Sequence, residues 1–473
     1  SNIIVHFVPE IAGEPVNVWI DSVWFDTPVR LLNQPEVLRL RLKSNTTAPL
    51  ENIPMTLTIN GSGKTVGSFS MTPELHTDTA LFFTNTEGGF IDGTVSIRDN
   101  PVVYDDEWHF GYRVAGKINV LCINGVASGK AFESMFANDP FYAFTQVDSR
   151  QVDYSSIATY DFVIINEVGA ISGGLKDAIQ TLTGNGGSAL VVPARTSDIN
   201  TYNELFDALA IPRMGAWTEA EMKVGDLNLQ HELYQDIFEK MPANLDLPGA
   251  KGYFTFAAGS RSTDEHLLTF LSGSPFIFGV KPGEGRAYVM AAPLADEWSN
   301  FAQHALFVPS VLRMAEFSKT SGVSSITIGS GDVLSIKGAA PEADQTFVMR
   351  NISNGREFIP SHRPVFGHVE VFVENKEAEA GNYHLMLGDS VVAAVGLNYN
   401  RKESDLAAYD PGEWETILTD FGWKNTSVIE ADMDNVSATV ANIESGKLLW
   451  DRFIWVALFA LLAELLLIKL WKS

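Results

Sequence analysis

The stretch KINVLCINGVASGKAFESMFANDPFYAFTQVDSRQVDYSSIATYDFVIINEVGAISGGLKDAIQTLTGNGGSALVVPA, residues 117–194, decides the fold. Within it INVLCIN, FYAFTQVD, DFVIINEVG and SALVVPA are short and largely apolar, and AFESMFAND and GGLKDAIQTLTGNGG between them have helical character. A strand that is apolar on both sides must be covered on both sides, so the alternation predicts a parallel sheet between two helical layers. This doubly wound α/β domain is expected over residues 116–320. It continues through NTYNELFDALAI, a less regular stretch at 212–260, the strand pair in FIFGVKPGEGRAYVMAAP, and a helix over 305–318.

Upstream the period changes to two. In VLRLRLKS, Leu38, Leu40 and Leu42 alternate with Arg39, Arg41 and Lys43, and in MTLTIN, Met55, Leu57 and Ile59 alternate with Thr56 and Thr58, followed by the turn pair Asn60-Gly61. One-sided strands with such turns predict an immunoglobulin-like β-sandwich over residues 14–115. Alternation returns in HVEVFVEN and NYHLMLGDSVVAAVGLNYN, which predicts a second, smaller β-sandwich over 321–397. Residues 398–447 form an acidic linker with a helix expected over PGEWETILTDFG.

The end of the chain is of another kind. FIWVALFALLAELLLI at 453–468 is apolar apart from Glu464, and extended to residues 448–471 it reaches the length that spans a bilayer core. Trp450, Trp455 and Trp471 stand where aromatic belts form, and Lys469 and Lys472 can snorkel to headgroups. Glu464 either faces another transmembrane helix or snorkels beside Lys469. Lys447 and Arg452 flank the entry side, next to Glu444 and Asp451, so the lysines of the short tail favour a cytoplasmic C-terminus and soluble domains outside the cytoplasm.

The 473 residues call for about three folding units, and the 45% hydrophobic and 19% charged fractions are those of a folded chain. A net charge of −25 repels phosphate backbones, so nucleic acid is not expected as a partner. Cys122 is the only cysteine, which leaves no intrachain disulfide and no cysteine-rich metal site. The opening SNIIVHFVPE has no basic n-region or long apolar core of a signal peptide and reads as a strand, so residues 1–13 are expected to end a domain that lies upstream.

In such a fold, chemistry is expected at the carboxyl ends of the α/β strands. INGVASGKA at 123–131 places Gly129-Lys130 after a strand, yet a phosphate-binding loop requires glycine at 124 and Ser or Thr at 131, where this chain has Asn124 and Ala131. Cys122 lies inside an apolar run with no histidine between His109 and His231, which favours a core cysteine over a nucleophile. His304 with Asp296 and Glu297 could make an acid–base pair but has no nucleophile; a capped loop is the plainer expectation. Asp105, Asp106 and Glu107, and Asp21 and Asp26, match no calcium loop and read as solvated strand ends. Trp19, Trp24 and Trp108 are expected in the sandwich core. No catalytic, cofactor-binding or metal-binding residue is assigned, and no cofactor is expected.

NVWIDSVWFDTPVRLLNQP at 17–35, GGSALVVPA at 186–194, NYNRKESDL at 398–406 and the tail DRFIWVALFALLAELLLIKLW together resemble the aerotolerance-regulator (BatA-type) membrane proteins over nearly the whole chain. The resemblance implies two N-terminal membrane helices and a von Willebrand factor A-like domain upstream, ending in the strand SNIIVHFVP. It also implies sandwich domains, an α/β domain of the flavodoxin or class I glutamine-amidotransferase kind, and a final membrane helix. The elbow after SALVVP carries Ala194 and Arg195 in place of a cysteine, which implies a degenerate, non-catalytic amidotransferase fold. The expectation is a bacterial inner-membrane protein with periplasmic domains that acts as a scaffold for other membrane or envelope proteins. The rivals are a hydrolase or amidotransferase using the α/β crevice and a ligand- or carbohydrate-binding envelope protein.

Overall fold

The structure is a computed structural model. It describes residues 5–8, 16–46, 48–72, 76–99, 102–125, 129–235, 246–257, 264–319, 322–337, 341, 345–365, 368–374, 378–405, 409, 411–423, 425–429, 436–445 and 450–471. The chain is rich in β-structure, arranged in several sheets, and carries one long apolar helix at its C-terminal end. It forms two compact units, Val18–Ser404 and a second made from Ser1–Asn17 with Asp405–Ser473.

In the larger unit the stretch 117–194 folds as its pattern predicts. Tyr142–Asp148, Ile118–Asn124, Phe162–Asn166, Ser188–Val192 and Arg286–Met290 lie side by side in that order, each parallel to the next. Pro275–Val280, Glu265–Phe270, Met222–Leu227 and Gly249–Ala250 extend this nine-stranded sheet antiparallel. Alternate residues of each central strand go to opposite cores. Val120, Cys122, Phe162, Ile164, Leu190 and Val192 pack with Phe132, Phe136, Phe307, Val311 and Met314. Leu121, Ile123, Val163, Ile165, Ala189 and Val191 pack with Leu175, Ile179, Leu182, Tyr202, Leu205 and Phe206. Helices Lys130–Phe136 and Phe307–Glu316 thus cover one face, and Gly173–Gly184 and Ile199–Ala208 the other. Among its described residues, the irregular stretch expected at 212–260 contains four strands, Met214–Thr218, Met222–Leu227, Gly249–Ala250 and Tyr253–Phe256.

Upstream, a three-stranded sheet (Val18–Phe25, Pro35–Ser44, Thr77–Thr84) and a five-stranded one (Arg30–Leu31, Glu107–Ala115, Gly89–Ile97, Leu50–Ile59, Ser62–Met71) close on one core. Leu38, Leu40 and Leu42 are wholly buried, and the outward Arg39, Arg41 and Lys43 pair with Asp26, Asp78 and Asp21. Asp26 is exposed just beyond the strand Val18–Phe25, as expected of a solvated strand end, while Asp21 lies within that strand; each also pairs with a basic residue of Pro35–Ser44. Trp108 is in the core and Trp19 is buried, but Trp24 is only half-buried under the Arg41 guanidinium.

Downstream, the sheets built on Gly381–Leu387 and on His368–Phe372 share a further core around Phe347, Met349, Val371, Leu385 and Val395. Strand Ser390–Asn398 lies against Glu107–Ala115 with the backbones touching. A Cβ on Gly396 would sit 1.9 Å from the His109 carbonyl oxygen, and one on Gly111 would sit 2.0 Å from that of Ala394. Asn398 fastens the seam by accepting the His109 N–H and donating to the His109 carbonyl, both at 2.8 Å.

NYNRKESDL begins at this seam. Arg401 donates to the carbonyls of Ile20, Tyr104 and Glu107 and lies over the Trp108 ring. Asp105 and Asp106 act on the same guanidinium. The expectation of solvated carboxylates fails for Asp105, which is fully buried, and for Asp106, which burial pushes up to about 6, whereas Glu107 is exposed as expected. The motif thus closes the larger unit up to Ser404 instead of starting a linker.

In the smaller unit Val5–Phe7 pairs in parallel with Thr426–Val428. Helix Pro411–Asp420 appears where PGEWETILTDFG predicts it, and Phe7 stacks on its Trp414 at 5.9 Å. Helix Val436–Ser445 and the 22-residue helix Trp450–Trp471 follow. The latter is long and apolar enough to cross a membrane, and none of its side chains is buried. Residues 1–4, Lys447 and Lys472, used above to read the N-terminal strand and the orientation, lie outside the described residues.

Candidate functional site

Chain order reverses between Ile118–Asn124 and Phe162–Asn166: the second parallel strand lies on one side of the first and the third on the other. The crevice beyond the carboxyl ends of these two strands is the place where a doubly wound sheet ordinarily holds a ligand. It is built from Asn124, Gly125, Asn166, Glu167 and the loop before Lys130, of which residues 126–128 lie outside the described residues.

Asn124, standing where a phosphate loop would have glycine, turns its side chain into this space. Its Oδ1 accepts the Asn166 amide at 2.8 Å and the Cys122 thiol at 3.3 Å, and its Nδ2 donates to Gln146 at 3.3 Å. The side chain lies so close beneath the loop that a Cβ on Gly129 would meet Asn124 Oδ1 at 2.7 Å. Gly125 passes with its N–H on the Asn166 carbonyl, where a Cβ would collide with the Glu167 carbonyl at 2.0 Å. The Asn124 side chain is thus committed to Asn166, Cys122 and Gln146.

Glu167 is the residue that the sequence reading missed. It has a φ of 48°, a left-handed conformation uncommon for a residue with a side chain. The turn drives its carboxylate into the crevice, where Oε1 accepts the N–H of Leu294 at 2.9 Å and of Ala295 at 3.3 Å. Burial raises its pKa while these two donors oppose the rise. Donors that could have held a substrate oxyanion are thereby used inside the protein. In sequence the only sign is a glutamate directly after the apolar run FVIIN.

Beyond the neighbouring strand Ser188–Val192, Ala194 is buried and its N–H donates to Ser197 Oγ at 2.9 Å. Arg195 lies over the Trp298 ring, which meets Trp217 edge to face at 5.1 Å, and also pairs with Glu219. Ala292 and Leu294 are buried. Side chains of the protein itself line these strand ends.

The other sequence candidates do not assemble. Cys122 is fully buried, and desolvation pushes its thiol up to about 12, far from a thiolate at neutral pH. His304 accepts the Leu306 N–H on Nδ1, so Nε2 carries the proton and donates to the Asp246 carbonyl at 3.0 Å; neither nitrogen turns to Asp296 or Glu297. A hydroxyl–histidine–carboxylate row does exist outside the crevice, with Thr94 Oγ1 3.1 Å from His109 Nδ1 and His109 Nε2 3.5 Å from Glu107. Burial, reinforced by Arg401, holds His109 down at about 4, which makes it a poor base, and the row lies at the seam between sheets.

Among the described residues, His231, Glu232 and Glu265 could offer three ligand atoms to a metal. Their charges are already matched: Lys281 lies 3.1 Å from Glu265 and 3.6 Å from Glu232, Arg286 pairs with Glu232, and His231 donates to Glu265 at 2.9 Å. Two cations inside the group make it an ion-pair network.

No family model and no curated protein matches the chain. Among solved structures it is similar to the cytoplasmic protein STM3548 of Salmonella typhimurium, at 12% identity and a TM-score of 0.33, covering 42% of this chain and 98% of that one. A ThuA-like protein of Bacteroides uniformis matches at 12% identity and a TM-score of 0.32, covering 42% of this chain and 91% of that one. The CARDB domain of a Pyrococcus furiosus protein matches at 15% identity and a TM-score of 0.20, covering 22% of this chain and 99% of that domain.

Proposed function

We propose that this chain is a non-enzymatic envelope protein of the aerotolerance-regulator (BatA) kind, held in a bacterial inner membrane by Trp450–Trp471, whose periplasmic domains serve as a scaffold for other membrane or envelope proteins. On this reading the first pair of sheets is an immunoglobulin-like sandwich and the nine-stranded sheet is a degenerate amidotransferase-like domain. The observation that supports the proposal is the crevice, where the Asn124 side chain is held by Asn166 and Glu167 takes the Leu294 and Ala295 N–H groups.

Donors and side chains already paired inside the protein are not free to stabilise a transition state. What the large unit offers is a rigid body, because its upstream and downstream sheets meet backbone to backbone at Gly111 and Gly396. A rigid surface that loses little entropy on docking suits a scaffold. The test is purification of the detergent-solubilised full-length chain followed by native mass spectrometry. The expected result is a membrane or envelope protein recovered at fixed stoichiometry; a chain that always emerges alone would count against scaffolding.

A further inference from the structure

We infer that the turn Phe421-Gly422-Trp423 is a second membrane contact, one that rests in the lipid headgroup region beside the anchoring helix. This inference rests on the reading of Trp450–Trp471 as a bilayer span. The turn closes helix Pro411–Asp420 with a hydrogen-bonded cap. Gly422 has a φ of 72°, its N–H donates to the Thr419 carbonyl at 2.9 Å, and the Trp423 N–H donates to that of Leu418 at 3.1 Å.

The cap fixes the two aromatic residues on either side of the glycine, yet leaves them in solvent. Phe421 is 78% exposed and Trp423 54% exposed. Tyr409, 59% exposed, is linked to Trp423 through two rings: it meets Trp414 at 5.9 Å, Trp414 stacks on Phe7 at 5.9 Å, and Phe7 lies 5.8 Å from Trp423. An exposed Phe and Trp on a capped turn, with a Tyr nearby, are costly to leave in water and have the composition favoured at the level of lipid headgroups. The occupant that the chain itself supplies is the bilayer, because this cluster belongs to the same compact unit as the apolar helix. The turn has already lost its conformational entropy in the cap, so contact with lipid costs little further ordering.

The experiment uses the full chain in nanodiscs of phosphatidylcholine and phosphatidylglycerol. Single-cysteine variants carry a nitroxide, read by electron paramagnetic resonance for collision with oxygen, which concentrates in lipid, and with a water-soluble nickel chelate. Cys122 is buried and does not compete for the label. Thr419→Cys keeps both aromatics and Phe421→Cys replaces one. Leu462→Cys reports the bilayer helix and Asp389→Cys, at an exposed turn, reports water. The expected result is a ratio of oxygen to nickel accessibility at residues 419 and 421 that lies clearly above that at 389 and below that at 462, which is near the middle of the span. If 462 reads lipid while 419 and 421 match 389, the inference fails. Labels at 419 and 421 shielded from both reagents would also overturn it, by showing protein over the turn. If 462 itself reads water, the bilayer reading fails first.

Discussion

Glu36 is almost wholly buried, accepts the Thr27 hydroxyl at 3.3 Å, and feels Arg30 and Glu316 most strongly among charged groups. Burial pushes its pKa from 4.5 up to about 7, against the pull of Arg30, and burial also holds Arg30 down at about 10. Between about pH 4.5 and 7 the folded chain keeps a proton on Glu36 that the unfolded chain has released. The contribution of Glu36 is therefore fullest below about 4.5 and declines as pH rises through about 7, by about 3 kcal/mol from this group. Thermal melting of the solubilised chain should show a midpoint several degrees higher at pH 5 than at pH 7.5. Glu36→Gln, neutral throughout, should remove most of that difference; an unchanged difference would mean that another group, such as Glu316, dominates. None of this was readable in PEVLRLRLKS, because the burial of Glu36 is imposed by elements far away in sequence.

At the scale of elements, the seam between Glu107–Ala115 and Ser390–Asn398 depends on two glycines without side chains. Gly396→Ala places a methyl against the His109 carbonyl at 1.9 Å, so one strand must move. A loss of at least about 2 kcal/mol is expected, of the size seen for overpacked cores. Gly63→Ala, where nothing lies within 4 Å, should leave stability nearly unchanged. Protease resistance compared across both variants checks this, and equal resistance would contradict the seam as a fixed joint. Elements governed by a local period were recoverable from sequence. The double-faced strands Ile118–Asn124 and Phe162–Asn166, the alternation of Leu38 with Arg39, and the helix over PGEWETILTDFG all form where the pattern places them. Long-range pairing was not recoverable: nothing in NYNRKESDL indicates that Arg401 reaches carbonyls more than 290 residues upstream. The crevice divides in the same way, since the substitution at Asn124 can be read from spacing, whereas the left-handed Glu167 depends on backbone geometry.

At the scale of the whole molecule, the proposal is that the apolar helix Trp450–Trp471 holds the chain in a bilayer. Alkaline carbonate extraction of membranes, which strips peripheral proteins and leaves spanning ones, tests this most directly when the full chain is compared with a variant ending at Ser445. The account predicts that the full chain stays with the lipid pellet and the shortened one enters the supernatant. A full chain released by carbonate, or a shortened chain that stays behind, would contradict it.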